Sequence, residues 1–223
     1  MWFFKSNHTP ISEITITCPR DQLIKNSRTL IIDDEEPQLR QDLEGLGFAI
    51  TWAKDIDQKL QQQIESGIFD LILLDFAGVG ASMGPDQGLD ILRHVKRVCP
   101  AVIVLAYTSK SLDSSKADFY IIADGVLPKD AGIKESLEKV EEALRKAMSP
   151  ANLWKALLAK LDIRPGSNEE KQLERRVQAS NGSAPKKEKL INWLSTSLDD
   201  ENTRKAAVAL VGKLLTLLAS VSP

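Results

Sequence analysis

The chain has 223 residues, 43% of them hydrophobic and 27% charged, which is enough for one full domain with a buried core and a smaller appendage. Lys and Arg number 29 against 31 Asp and Glu, a balance that argues against attachment to nucleic acid or to a membrane surface by bulk charge. Cys18 and Cys99 lie far apart, with no CxxC or Cys/His cluster around them; this indicates neither a disulfide framework nor a structural zinc site and fits a reducing, cytoplasmic compartment.

In chain order, Met1-Trp2-Phe3-Phe4-Lys5 is an apolar tip too short for a signal peptide. No later run reaches the roughly 18 apolar residues of a membrane span. Ile14-Thr15-Ile16-Thr17 is β-prone and open to two uses, an added edge strand or packing on the C-terminal tail. From Thr29 the pattern alternates between short apolar runs and helical periodicity. Thr29–Ile32 is a buried strand ending on Asp33-Asp34, and Pro37 opens a helix carrying Leu39, Leu43 and Leu46 as far as Gly47. Phe48–Trp52 is a second strand, and Lys54–Ser66 a polar helix. Phe69–Leu74 ends in Asp75 and is followed by a Gly-rich loop from Gly78 to Gly88. A helix with Leu89, Leu92 and Val95 on one face leads to the strand Val102–Tyr107, which ends on Thr108-Ser109. After a helix through Ile122, the strand Gly125–Pro128 delivers Lys129. Ile133–Met148 then closes the series, with Ile133, Leu137, Val140 and Leu144 on its apolar face.

Beyond Ser149-Pro150 the pattern is helical only. Ser149 caps a helix carrying Leu153, Trp154, Leu157, Leu158 and Leu161, and Arg164-Pro165-Gly166 stops it. Glu169–Ala179 is a polar helix, Ser180–Pro185 a loop, and Lys186–Ser197 a helix with Leu190, Ile191, Trp193 and Leu194. Asn202–Val221 is apolar over so broad a surface that it must be covered by a bundle, by the preceding domain, or by a dimer or partner. The tail's small basic clusters, Arg175-Arg176 and Lys186-Lys187-Lys189, are weak evidence for DNA binding, because no helix-turn-helix spacing accompanies them.

Five strand-helix units predict an α/β fold, the flavodoxin-like doubly wound five-stranded parallel sheet, followed by a small all-α C-terminal domain. The divisions are an N-terminal extension over 1–28, the α/β domain over 29–148 and a helical domain over 149–223. In such a fold ligands bind outside the carboxyl ends of the strands. Asp33, Asp34, Asp75, Thr108 and Lys129 all fall at that edge. The runs Leu30-Ile31-Ile32-Asp33-Asp34-Glu35, Leu71-Ile72-Leu73-Leu74-Asp75, Tyr107-Thr108-Ser109 and Ala123 to Asp130, in that order and spacing, make the chain resemble the receiver domain of two-component response regulators. The resemblance implies that Asp75 accepts a phosphoryl group from a phosphohistidine on a histidine kinase or phosphotransfer protein. It further implies that Asp33, Asp34, Asp75 and the backbone carbonyl of Ala77 hold Mg2+, and that Lys129 and Thr108 contact the phosphoryl oxygens. The protein would then be a phosphoacceptor regulator rather than an enzyme acting on other substrates, signalling through protein contacts of its tail or a homodimer.

Three departures from the family pattern and two open alignments stand beside this. Phe76 to Gly88 is longer than the usual loop, Val126 replaces an aromatic residue, and Asp130 replaces a proline. Strand four aligns with either Ala106 or Thr108 at the hydroxyl position, and Asp34 with Glu35 is an alternative acidic pair. His8 and His94 are not placed for catalysis. The alternatives to a phosphorylation-switched regulator are a scaffold that never turns over phosphate and, with less support, a DNA-binding regulator.

Overall fold

The computed structural model describes residues 9–16, 18–109 and 116–219; the apolar tip, His8 and Thr17 lie outside these, as does Val221. The apolar runs form β1 (Arg28–Ile32), β2 (Ala49–Ala53), β3 (Leu71–Leu74), β4 (Ile103–Thr108) and β5 (Gly125–Pro128). They pair in the order β2-β1-β3-β4-β5, each pair parallel, which is the flavodoxin-like doubly wound arrangement. β3 and β4 are buried along their whole length because a parallel sheet of this kind is covered on both faces by the crossover helices.

One face packs on α3 (Gln58–Glu65), α4 (Gly88–Val98) and α5 (Ala117–Ile122) through Leu60, Ile64, Leu92, Val95 and Phe119. The other packs on α1 (Arg20–Asn26), α2 (Gln38–Gly45) and α6 (Ile133–Ala147) through Leu23, Leu39, Leu43, Val140 and Leu144. Some local expectations need correction. The helix expected from Lys54 starts at Gln58, because Asp57 caps it by accepting the Leu60 amide at 2.7 Å. Ile133, expected on the apolar face of α6, is its first residue and is 45% exposed. α1 has no counterpart in the sequence expectations.

Beyond the sheet, α7 (Pro150–Lys160), α8 (Asn168–Ser180), α9 (Ala184–Ser197) and α10 (Glu201–Ala219) form a bundle. Pro185, expected in a loop, sits in the first turn of α9, where its missing N–H costs no intrahelical bond. The apolar side chains of α10, among them Leu210, Val211, Leu214 and Leu218, form the bundle core with Leu153, Trp154 and Leu157. The leader belongs to this core as well. Ile11, in a 3-10 turn over Ile11–Glu13, is fully buried in it, and its amide donates to Glu174 Oε1 at 2.6 Å. Ile14 and Ile16 pack there too, so the described part of the β-prone segment lies on the tail and adds no strand to the sheet.

The bundle docks on the base of the sheet. Lys213 Nζ of α10 lies 2.6 Å from Oδ1 of Asp70, whose Oδ2 accepts the Arg28 amide at 3.0 Å. Asn202 Nδ2 donates to Glu65 Oε2 at 3.3 Å, and Glu65 also meets His94. No helix among the described residues is long and apolar enough to cross a membrane.

Candidate functional site

The strand order fixes where a site can form. β1 is flanked by β2 on one side and β3 on the other, so the chain leaves the carboxyl ends of β1 and β3 in opposite directions and a crevice opens between them. Asp33 follows β1 and Asp75 follows β3 at the same level, since Ile32 pairs with Leu74. Carboxylate oxygens of Asp33, Asp34 and Asp75 come within 4.8 Å of one another. Glu35 is outside this set; its amide donates to Asp33 Oδ1 at 3.1 Å.

Lys129, placed by β5, reaches across the crevice. Its Nζ lies 2.7 Å from Asp33 Oδ2 and 2.7 Å from Asp75 Oδ2. The second oxygen of Asp75 accepts the Phe76 amide at 2.6 Å. Asp33 is 1% exposed, and burial pushes its carboxyl above the ordinary carboxylate range against the opposing pull of Lys129. Burial works to lower the Lys129 ammonium, but hydrogen bonds and charge from Asp33 and Asp75 outweigh it and hold the group above its usual value. Three carboxylates against one ammonium leave the crevice net negative. A hard divalent cation suits such an all-oxygen set, so the residues fit one.

Thr108 is not part of this constellation. Strand alternation turns Asp33, Asp75 and Lys129 to the face where Tyr107 packs, and Thr108 to the other. Its Oγ1 donates to Ser109 O at 3.1 Å and lies 3.4 Å from the Tyr120 hydroxyl of α5. Among the described residues no hydrogen bond joins it to Asp75 or Lys129. Ala106, on the same face as Thr108, is fully buried beside Leu74.

Four residues not singled out by sequence complete the surroundings. The Tyr107 ring lies 5.5 Å from Lys129 Nζ; burial, and then the Asp33 charge, push its phenol up to about 12. Trp52 Nε1 donates to the Asp33 carbonyl at 3.0 Å. In the long loop Gly80 donates its amide to Asp55 Oδ1 at 2.5 Å. Gly78, at φ +74°, presses on Asp34 so closely that a Cβ there would lie 2.6 Å from the carboxyl carbon. Strand-end placement gave no signal for these four: Trp52 and Tyr107 lie inside β2 and β4, and Gly78 and Gly80 in the loop after β3, and each meets the site across space. The loop closes on itself: Gly88 donates its amide to Phe76 O at 3.0 Å, and a Cβ on Gly88 would stand 2.9 Å from Phe76 Cα. The added residues therefore bulge toward Asp34 and Asp55 without separating α4 from β3. Ala77 lies in this loop and is an exposed residue.

A doubly wound α/β domain with an acidic crevice at its switch point is the class that fold and site define. No protein-family model matches the chain, and the search of curated proteins found no match. Solved structures similar to it include response-regulator receiver domains and proteins that contain them. A CheY-like receiver domain protein from Methanospirillum hungatei JF-1 is 25% identical over 54% of this chain and 95% of its own, with a TM-score of 0.46. NtrX from Brucella abortus, solved with ATP, is 19% identical over 70% of this chain, which spans 35% of that protein, with a TM-score of 0.47. The response regulator TrrA from Thermotoga maritima, in complex with Mg(2+)-BeF, is 25% identical over 52% of this chain and 98% of its own, with a TM-score of 0.42.

Proposed function

We propose that the protein is a two-component response regulator in which Asp75 accepts a phosphoryl group and the helical region passes the change to a protein partner. The observation that carries this reading is Lys129 bridging Asp33 and Asp75 at 2.7 Å each. Clustered carboxylates in a buried crevice cost stability, and a binding scaffold has no use for them. The Asp75 carboxylate attacks the phosphorus of a phosphohistidine; a P–O bond forms as the P–N bond breaks, and the imidazole leaves with the electron pair. Mg2+, held by Asp33, Asp34, Asp75 and the Ala77 carbonyl, would offset the repulsion between the carboxylate and the phosphoryl oxygens. Lys129 keeps Asp75 aimed and then pairs with a phosphoryl oxygen.

On this reading Thr108 must leave Tyr120 to reach the phosphoryl group, and its release is the switching event passed to α5. The chain divides functionally into an extension over 1–28, a receiver over 29–148 and an output region over 149–223, working in the cytoplasm with a histidine kinase or phosphotransfer protein. Acetyl phosphate or phosphoramidate with Mg2+ is expected to add one phosphoryl group to the intact protein and none to Asp75→Asn, read by mass spectrometry. The engagement of Thr108 by Tyr120 favours a second reading, a scaffold that never turns over phosphate. Absence of labelling by either donor or by a phosphorylated kinase would establish that reading instead.

A further inference from the structure

The outer seam between α8 and α9 is a groove left open by the bundle. At one end Leu161, Ile163, Leu173, Trp193 and Leu198, with Glu169 among them, line a mostly apolar hollow of about 260 Å³. At the other, Arg176, Lys186 and Lys189 surround a hollow of about 200 Å³. Arg176 borders both hollows, and its guanidinium lies 4.7 Å from the Trp193 ring. Among the described residues none of these three cations takes part in an ion pair, although most basic side chains of α4 and α6 do. The charge is also unevenly placed along the chain. Residues 149–223 carry twelve Lys and Arg against eight Asp and Glu, whereas residues 1–148 carry seventeen against twenty-three.

Two antiparallel helices joined by the short turn 181–183 present a straight trough into which a third helix packs ridge into groove. We propose that this seam is the output docking site, and that its occupant is an acidic amphipathic helix of a partner protein. The partner's apolar side chains lie on Trp193, Ile163 and Leu198, and its carboxylates meet Arg176, Lys186 and Lys189. A helix matching α8, which has 13 residues, is about 20 Å long. The apolar floor decides against nucleic acid, whose phosphates would find no partner along half of the trough. The proposal rests on reading the helical region as the output of the switch.

The test uses the full unphosphorylated chain and a fluorescein-labelled helical peptide of about fourteen residues. The peptide carries Leu and Phe on one face and Glu on the other, and a counterpart carries Lys in place of Glu. Fluorescence anisotropy is expected to show binding of the Glu peptide only. Arg176→Glu with Lys189→Glu is expected to weaken it about tenfold or more, while Lys155→Glu, outside the trough, leaves it unchanged. A change in tryptophan emission on binding is expected to vanish in Trp193→Phe. Equal binding of the Lys peptide, no binding of the Glu peptide, or binding insensitive to Arg176→Glu with Lys189→Glu overturns the proposal. So does a duplex DNA that competes for the same residues, or a dimer of this chain that the same charge reversals dissociate. Asp75 labelling without peptide binding removes this docking site alone; peptide binding without labelling removes the phosphorylation reading alone.

Discussion

Gly78 illustrates how a residue without a side chain shapes the site. At φ +74° and pressed on the Asp34 carboxylate, it leaves no room for a methyl group. Gly78→Ala is expected to weaken Mg2+ binding by about 10-fold to 100-fold, the range for residues that orient a metal ligand, as measured by calorimetry. Gly182→Ala is the control, because Gly182 has a similar φ of +72° and nothing within 4 Å of a Cβ. It should carry the same backbone strain and leave Mg2+ affinity intact. Tyr107 supplies a second residue-scale expectation. Its phenol, raised by burial and by the Asp33 charge to about 12, keeps its proton more tightly in the folded state than in the unfolded chain, where it titrates near 10. The stability this represents is fully present below pH 10 and is lost as pH rises through 12. Absorbance near 295 nm should therefore record a late phenolate transition in the native protein that is missing from Tyr107→Phe.

At the scale of elements, the strands were legible because each apolar run stops on a charged or turn-forming residue. Asp33, Asp34, Asp75 and Lys129 were legible for the same reason: a strand end in a parallel sheet is also the edge of the crevice. Thr108 lies at such an end too, but both residues that strand four offers for the hydroxyl position, Ala106 and Thr108, fall on the face opposite Tyr107, which only the strand register reveals. α1 offered little pattern, with Leu23 its one fully buried side chain. Where the leader would pack was open as well, because its anchor, Ile11, sits in a 3-10 turn without helical or strand periodicity. Ile11→Ala is expected to cost about 2–5 kcal/mol, measured by urea unfolding with tryptophan emission as the probe, since Trp154 shares the same core. A loss no larger than that of an exposed Leu46→Ala would mean that the leader contributes nothing to the bundle.

Across the whole molecule the two ends of β3 do different work. Asp75 leaves its top into the acidic crevice, and Asp70, at its base, receives Lys213 from α10 at 2.6 Å. Five residue steps separate them, roughly 16 Å of extended strand, so the bundle is held at the opposite end of the sheet from the proposed phosphorylation site. Lys213→Met leaves Asp70, 4% exposed, without its counter-charge. The expected loss is about 1–3 kcal/mol in urea unfolding, below that of a fully buried pair because Lys213 keeps some contact with water. Adding Asp70→Asn should restore part of it. A single mutant as stable as wild type would mean that the ion pair does not hold the bundle to the sheet.

The identity of the phosphorylated atom bears most directly on the proposed function. After incubation with acetyl phosphate and Mg2+, borohydride reduction converts an aspartyl phosphate to homoserine, which peptide mass spectrometry locates in the chain. Homoserine at position 75, absent when Mg2+ is withheld or when Lys129 is replaced by Ala, is the expected result. Modification at another carboxylate, or none in the folded, Mg2+-supplied protein, would contradict a phosphoacceptor at Asp75.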